Sequence, residues 1–151
     1  MNKSFAFFLV FLILPELFVS PIKGAGTSDQ MDWVNLQWPP QANIPEGGSF
    51  DIYARCYEAG ITDPEGSDAR ISVWIGYNTE NTNPNTWNDW IPALFNNQFS
   101  GTDEYTVSMG RTLPPGIYYY AIRIQLDGSN FLYGGYNAGG GGFWDGAGIA
   151  G

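Results

Sequence analysis

The chain has 151 residues, of which 44% are hydrophobic, 17% aromatic and 14% charged, a composition typical of one folded domain and unlike disordered, collagen-like or coiled-coil chains. It contains no histidine and a single cysteine, which excludes histidine-dependent triads, histidine metal sites and an internal disulfide. The formal net charge is −9, and beyond residue 26 four arginines and no lysine stand against fourteen carboxylates, so we expect no nucleic-acid partner.

The first 26 residues have the pattern of an export signal. Lys3 precedes an apolar run over residues 5–14, and small residues at 24–26 provide a cleavage site. Pro15 and Glu16 end the run before it reaches the ~20 residues that a membrane-spanning helix needs. We therefore predict that residues 1–26 are a signal peptide, with a retained apolar anchor as the alternative, and that the protein is extracellular or on the cell surface.

The remaining chain has the pattern of an all-β domain. Short stretches of alternating apolar and polar residues are separated by clusters of Pro, Gly, Asn and Asp, and the Asp127-Gly128 pair predicts a tight hairpin. This favours an immunoglobulin-like, antiparallel two-sheet β-sandwich of about six to eight short strands over residues 27–138, followed by a Gly-rich tail at 139–151. The predicted strands cover residues 34–38, 50–56, 71–77, 90–95, 105–109, 117–126 and 131–136.

One cysteine and one acidic loop have both a chemical and a structural interpretation. Cys56 lies in an alternating apolar run without a histidine to activate it, so we expect a buried thiol. Asp63, Glu65 and Asp68 offer oxygen ligands for calcium, but their spacing is not that of an EF-hand. We expect a solvated turn there and no cofactor, with calcium as the one metal candidate.

Catalysis is not expected. A carboxylate pair such as Asp89 and Asp103 has the chemistry for glycoside hydrolysis, but that reaction requires two acids at a defined separation in a cleft. A single small sandwich rarely offers such a cleft. We therefore predict a protein that is not an enzyme and has no catalytic residues.

The aromatic residues suggest a binding platform for glycans. An exposed indole or phenol ring covers the C–H face of a sugar, while short amides and carboxylates bind its hydroxyl groups. Residues 87 and 90 converge only if the backbone turns between them, and the alternative is one tryptophan in the core and one over a sheet edge. Trp74 is out of phase with the apolar positions of its strand and should point to the other sheet face. The predicted platform consists of Trp87, Asn88, Asp89, Trp90, Phe131 and Tyr133.

The order of several motifs resembles the starch- and glycogen-binding carbohydrate-binding modules. The resemblance implies an early-set immunoglobulin-like sandwich, in which a tryptophan-rich segment and a DG hairpin carry the aromatic residues; here Phe131 and Tyr133 follow that hairpin. Where those modules place a lysine, this chain has Ile122 and Arg123. The motifs are WNDWIP at 87–92, DEYTV at 103–107, LPPGIYYY at 113–120 and LDG at 126–128.

A second resemblance covers nearly the whole mature chain. It is similar to a small module of secreted bacterial proteins that often precedes enzymes or sorting domains. The motifs are WVNLQWP at 33–39, WIGY at 74–77 and FWDG at 143–146.

Two functions fit these observations. The first is a secreted, non-catalytic module that binds polysaccharide or cell-surface glycan through exposed aromatic residues. The alternative is a structural, self-assembling surface or filament protein that associates by strand addition at an open sheet edge. The apolar N-terminal segment, and the lack of an apolar strand after residue 139, favour the alternative.

Overall fold

Alternating apolar and polar side chains form eight strands in the computed structural model, which describes residues 30–135. The strands form a first sheet in the order β1-β2-β6-β5 and a second sheet in the order β4-β3-β7-β8, and every neighbouring pair is antiparallel. The predicted all-β two-sheet sandwich is confirmed. The strands are β1 (Trp33–Trp38), β2 (Phe50–Tyr57), β3 (Ile71–Asn78), β4 (Asp89–Pro92), β5 (Leu94–Phe99), β6 (Thr102–Met109), β7 (Tyr119–Leu126) and β8 (Leu132–Gly134).

The core lies between the two sheets and is built from one alternating set of side chains on each strand. Leu36 and Ile52 of the first sheet and Ile75, Ile122 and Ile124 of the second are fully buried. Removing this apolar area from water is the main favourable term in folding, and no disulfide assists it.

Cys56 belongs to the same core. Its side chain is fully buried and forms no disulfide, as the alternating pattern predicts. Burial, with a smaller contribution from Asp103, raises the pKa of the thiol far above its ordinary value. The thiolate is the reactive form of cysteine, so Cys56 is chemically inert in the folded protein.

Backbone contacts connect the two sheets on both sides of the sandwich. On one side the chain passes from the second sheet to the first at Ala93, whose N–H donates to the Val73 carbonyl at 2.9 Å. The strand predicted at 90–95 is therefore wrong in one respect, because its two halves pair with different sheets. On the other side the Leu36 N–H donates to the Gly135 carbonyl at 3.2 Å, which joins the end of β8 to β1.

The Asp127-Gly128 hairpin forms as predicted between β7 and β8. Both residues have positive φ angles, 49° and 74°, and the Ser129 N–H donates to the Leu126 carbonyl at 2.8 Å, so the pair forms a tight turn at the start of the connection between β7 and β8. The strand predicted at 117–126 begins two residues later, at Tyr119, and Ile117 is 76% exposed in the irregular segment before it. Residue 136 of the last predicted strand, the predicted signal at 1–26 and the tail at 139–151 lie outside the described residues.

One small helical element and no membrane-spanning helix accompany the strands. The segment Pro84–Thr86 forms a 3₁₀ turn between β3 and β4. Within residues 30–135, no helix is long and apolar enough to cross a membrane.

A carboxylate interrupts the apolar core at the start of β6. Asp103 is fully buried, and neither of its side-chain oxygens has a hydrogen-bond partner. Burial, with a smaller contribution from the negative charge of Asp68, raises the pKa of Asp103 to about 6. An unpartnered carboxylate in this position is destabilising when it is ionised.

We predict that replacing Asp103 by asparagine changes the pH dependence of stability. Because the native state keeps the proton of Asp103 up to about pH 6 whereas the ordinary pKa is 3.8, the contribution of Asp103 to stability is present below pH 3.8 and is lost as the pH rises to about 6. As the pH rises from 4 to 7, the free energy of unfolding of Asp103→Asn should therefore increase relative to that of the wild type, by up to about 3 kcal/mol. Urea denaturation at four pH values measures this gain. Parallel pH profiles for the two proteins would contradict the prediction.

Candidate functional site

The outward side of the second sheet carries a cluster of four aromatic rings around one arginine. Trp74 of β3 pairs with Arg123 of β7, which pairs in turn with Tyr133 of β8. Strand alternation directs these three side chains to the same face, away from the core. Trp90 of β4 and Phe131, next to β8, complete the cluster, which we call the aromatic face.

Ring contacts to the guanidinium hold the aromatic face together. The Cζ atom of Arg123 lies 4.9 Å from the ring centre of Trp74 and 4.5 Å from those of Trp90 and Phe131. Ring centres are 5.6 Å apart for Trp74 and Phe131, 5.8 Å for Trp90 and Tyr133, and 6.4 Å for Phe131 and Tyr133. Each cation–ring contact of this kind contributes on the order of 0.5–2 kcal/mol.

A glycine makes room for the tryptophan of β4. Gly76 pairs with Trp90 across the β3–β4 ladder, and a Cβ atom added at Gly76 would lie 2.6 Å from the Trp90 ring. The indole therefore rests on bare backbone, and its N–H donates to the Trp87 carbonyl at 3.0 Å. The missing side chain at position 76 allows Trp90 to lie low enough to reach Arg123.

The electrostatics of Arg123 differ from those of a surface arginine. Its Nε is buried without a hydrogen-bond partner, and among residues 30–135 the side chain forms no ion pair. Within the described residues no hydrogen bond reaches its two Nη groups, which, unlike Nε, are not fully buried. Burial lowers the pKa of Arg123, and the nearby Tyr133 phenol opposes that shift. The guanidinium thus stays charged while its N–H donors remain unused.

The rest of the outward side is neutral. The other residues in outward register on β3, β4 and β7 are polar, small or aromatic, and none is a carboxylate. The outward register of these three strands therefore carries one cation and no carboxylate, although the chain is strongly acidic. These residues are Ser72, Gly76, Asn78, Pro92, Tyr119, Ala121 and Gln125.

The structure brings together half of the platform that the sequence predicts. Trp90, Phe131 and Tyr133 meet on the aromatic face. Asn88 is exposed just before β4, and Asp89 is exposed on β4, where alternation directs it away from the face of Trp90.

Trp87 lies next to the aromatic face but is buried. Only 6% of its surface is exposed, it packs against Ala121, and its indole N–H donates to the Thr82 hydroxyl at 3.1 Å. Its ring centre is 6.1 Å from that of Trp90, so the backbone does turn between the two residues. In this position Trp87 supports Trp90 from below and offers little surface to a ligand.

Sequence reasoning missed Arg123 as a site residue and left the role of Trp74 open. The available signal was the phase of each residue, since both are out of step with the apolar positions of their strands. Phase gives the face, but only the register that pairs position 74 with position 123 shows that the two side chains meet.

The acidic residues considered for calcium and for catalysis do not converge. Asp63 accepts a hydrogen bond from the Gly60 N–H at 2.7 Å, and Asp68 pairs with Arg70, which lowers the pKa of Asp68 to about 2. In the part of the chain that the structure describes, no three Cys, Asp or Glu side chains could hold a metal ion together.

The two carboxylates considered for glycoside hydrolysis are far apart. Asp89 pairs with Tyr77 at the end of β3, whereas Asp103 pairs with Cys56 at the end of β2, in the other sheet. These positions lie at opposite ends of the sandwich, and Asp103 is enclosed in the core.

Comparison with family models, with curated proteins and with solved structures gives no match for this chain. Function is therefore inferred from the chemistry of the aromatic face. Its rings offer apolar surface at an open sheet, the Tyr133 hydroxyl offers a donor and an acceptor, and the Arg123 guanidinium offers charged donors.

We predict that Gly76→Ala disrupts the aromatic face. The new methyl group overlaps the Trp90 ring, which must tilt away from Arg123, and overpacking of this kind costs about 1–3 kcal/mol. Denaturant titration and tryptophan fluorescence should show a less stable protein with a changed emission spectrum. Ser72→Ala, on the same side of β3, is the matched control and should leave both unchanged. Wild-type stability and emission in Gly76→Ala would contradict the contact between Gly76 and Trp90.

Proposed function

We propose that the protein is a secreted, non-catalytic module that binds polysaccharide or cell-surface glycan through the aromatic face. The observation that carries this proposal is the convergence of Trp90, Phe131 and Tyr133 around Arg123 on one outward sheet surface. A cluster of rings that only stabilised the fold would not need charged donors left without partners.

The chemistry of the aromatic face suits a sugar chain. Sugar rings have C–H faces that pack on aromatic rings and hydroxyl groups that need hydrogen bonds, and both kinds of partner stand side by side here. Phe131 is 37% exposed, and the interplanar angles of 58–89° within the cluster mean that no ring stacks flat on its neighbour. Among residues 30–135 no strand lies over the outward side of the second sheet, which leaves room for a long polymer.

The resemblance to starch- and glycogen-binding modules points to the same surface. The hairpin that precedes Phe131 and Tyr133 corresponds to the aromatic-bearing hairpin of those modules. At the position of their lysine, Ile122 lies in the core and Arg123 lies on the aromatic face. On this proposal the domain is an immunoglobulin-like sandwich whose cation comes from an arginine.

We predict that alanine at Phe131 or Trp90 weakens retention by the target glycan. Loss of one ring should cost about 1–3 kcal/mol of binding free energy, by analogy with aromatic anchors at other interfaces. That range corresponds to a loss of affinity of about 5-fold to 150-fold. Affinity electrophoresis through gels that contain different polysaccharides measures it.

Trp38→Ala is the matched control for this experiment. Trp38 is 57% exposed at the end of β1, on the other sheet, so its loss should not change retention. Equal losses in Trp38→Ala and Trp90→Ala, or a folded wild-type protein that no polysaccharide retards, would contradict glycan binding by the aromatic face.

A second candidate function, self-assembly by strand addition, is favoured by β5. Among the described residues this strand pairs only with β6, so its other edge is open, and Leu94 at its start is 73% exposed. Such an edge can pair with a strand of another chain. The irregular register between Phe95 and Asn97 and the strongly negative charge oppose indiscriminate pairing.

If this edge is used, we predict that association rises with salt. Screening weakens the repulsion between acidic chains, so light scattering should show larger particles at ~1 M salt than at low salt. Leu94→Gln should abolish the increase, whereas Ile117→Gln, at a similarly exposed position outside the strands, should not. A monomer at every ionic strength would rule out assembly through β5.

A further inference from the structure

Among residues 30–135, two arginines pack on aromatic rings, and only one of them has an anionic partner there. On the first sheet, the Cζ atom of Arg55 lies 4.0 Å from the ring centre of Phe99, and its Nε donates to the Glu104 carboxylate at 2.9 Å. A ring covers the face of the guanidinium and a carboxylate binds its edge. On the second sheet, rings cover Arg123 in the same way, but no carboxylate from the described part of the chain binds its edge.

The rings do not satisfy the donors of Arg123. An aromatic ring attracts the positive charge above its face, whereas the N–H groups of a guanidinium lie in its own plane and need acceptors at the edge. The Nε donor is buried and unused. The partner that fits a planar fork of charged donors is an anion with two oxygens, such as a carboxylate.

The surroundings of Arg123 leave this anion to be supplied by a ligand. No carboxylate of β3, β4 or β7 is in outward register beside it. The other two arginines cannot substitute for it, because Arg70 is paired with Asp68 and Arg111 lies in the turn after β6. Arg123 is thus a cation whose N–H donors lack acceptors, and the other residues of this surface are apolar or neutral.

We propose that the aromatic face recognises a polysaccharide whose sugar units carry carboxylates, with the Arg123 guanidinium binding the carboxylate and the rings covering the sugar. This rests on the proposed glycan function and adds the charge class of the ligand. The negative charge of the rest of the protein repels polyanions at long range. Binding of an acidic glycan therefore requires this specific contact and does not follow from general charge attraction.

The test compares one sugar chain in two forms, as the free acid and as its methyl ester. Oligogalacturonate and fully methyl-esterified oligogalacturonate have the same rings and differ in the carboxylate alone. Isothermal titration calorimetry at about 0.15 M salt, where the Debye length is about 8 Å, should show at least about 10-fold tighter binding of the acid to the wild-type protein.

The variants assign this preference to Arg123. Arg123→Gln should reduce the affinity for the acid to that for the ester, while Arg111→Gln, which removes the same charge from an exposed turn, should keep the preference. Arg123→Lys keeps the charge but not the planar fork, and it should show an intermediate preference. If Arg123→Gln does not fold, the wild-type comparison and Arg123→Lys still decide the question.

The outcomes separate this inference from the glycan proposal. Equal binding of acid and ester would overturn the acidic ligand and leave a neutral glycan as the ligand. Equal loss in Arg111→Gln, or equally tight binding of dextran sulfate, would mean that charge alone is responsible and would overturn the inference. No binding of either form, or of neutral glucans, by a folded protein would overturn both proposals.

Discussion

The register between β3 and β7 is the constraint on which both the fold and the candidate site depend. This ladder runs from the pair Ile71 and Leu126 to the pair Asn78 and Tyr119. Its inward side supplies Ile75 and Ile122 to the core, and its outward side places Trp74 beside Arg123. Because side chains alternate along a strand, a shift of one residue would exchange the two sides. Burial of the core therefore also fixes the position of the aromatic face.

The sequence was sufficient to predict most of the strands but not the way in which they pair. Alternation located six of the eight strands, and Asp127-Gly128 located a turn, because both signals are local, whereas β4 and β5 were predicted as a single strand at 90–95. The passage from one sheet to the other at Ala93 was not predictable, since residues 90–95 read as one continuous apolar stretch. The point at which the chain changes sheets depends on the hydrogen bond from the Ala93 N–H to the Val73 carbonyl, and Val73 is distant along the chain.

The same limit explains the partial success with the candidate site. Aromatic residues near polar ones indicated Trp90, Phe131 and Tyr133, and the structure brings them together. It gives Trp87 a supporting position under Trp90, because the 3₁₀ turn before it directs its ring onto Ala121. Arg123 was hidden in a nearly continuous apolar run, and only cross-strand register shows that rings surround it.

An acidic protein with an acidic ligand is physically consistent if the charges act at different distances. Repulsion between net charges slows the encounter and is screened beyond roughly 8 Å at physiological salt. The lifetime of the complex depends on contacts at the surface, where the rings around Arg123 exclude water and salt screens the attraction between Arg123 and a carboxylate less strongly. The pair Arg55 and Glu104 shows that this chain already satisfies a ring-covered guanidinium with a carboxylate. The same arrangement completed by a ligand would give the aromatic face selectivity for acidic sugars without attracting polyanions in general.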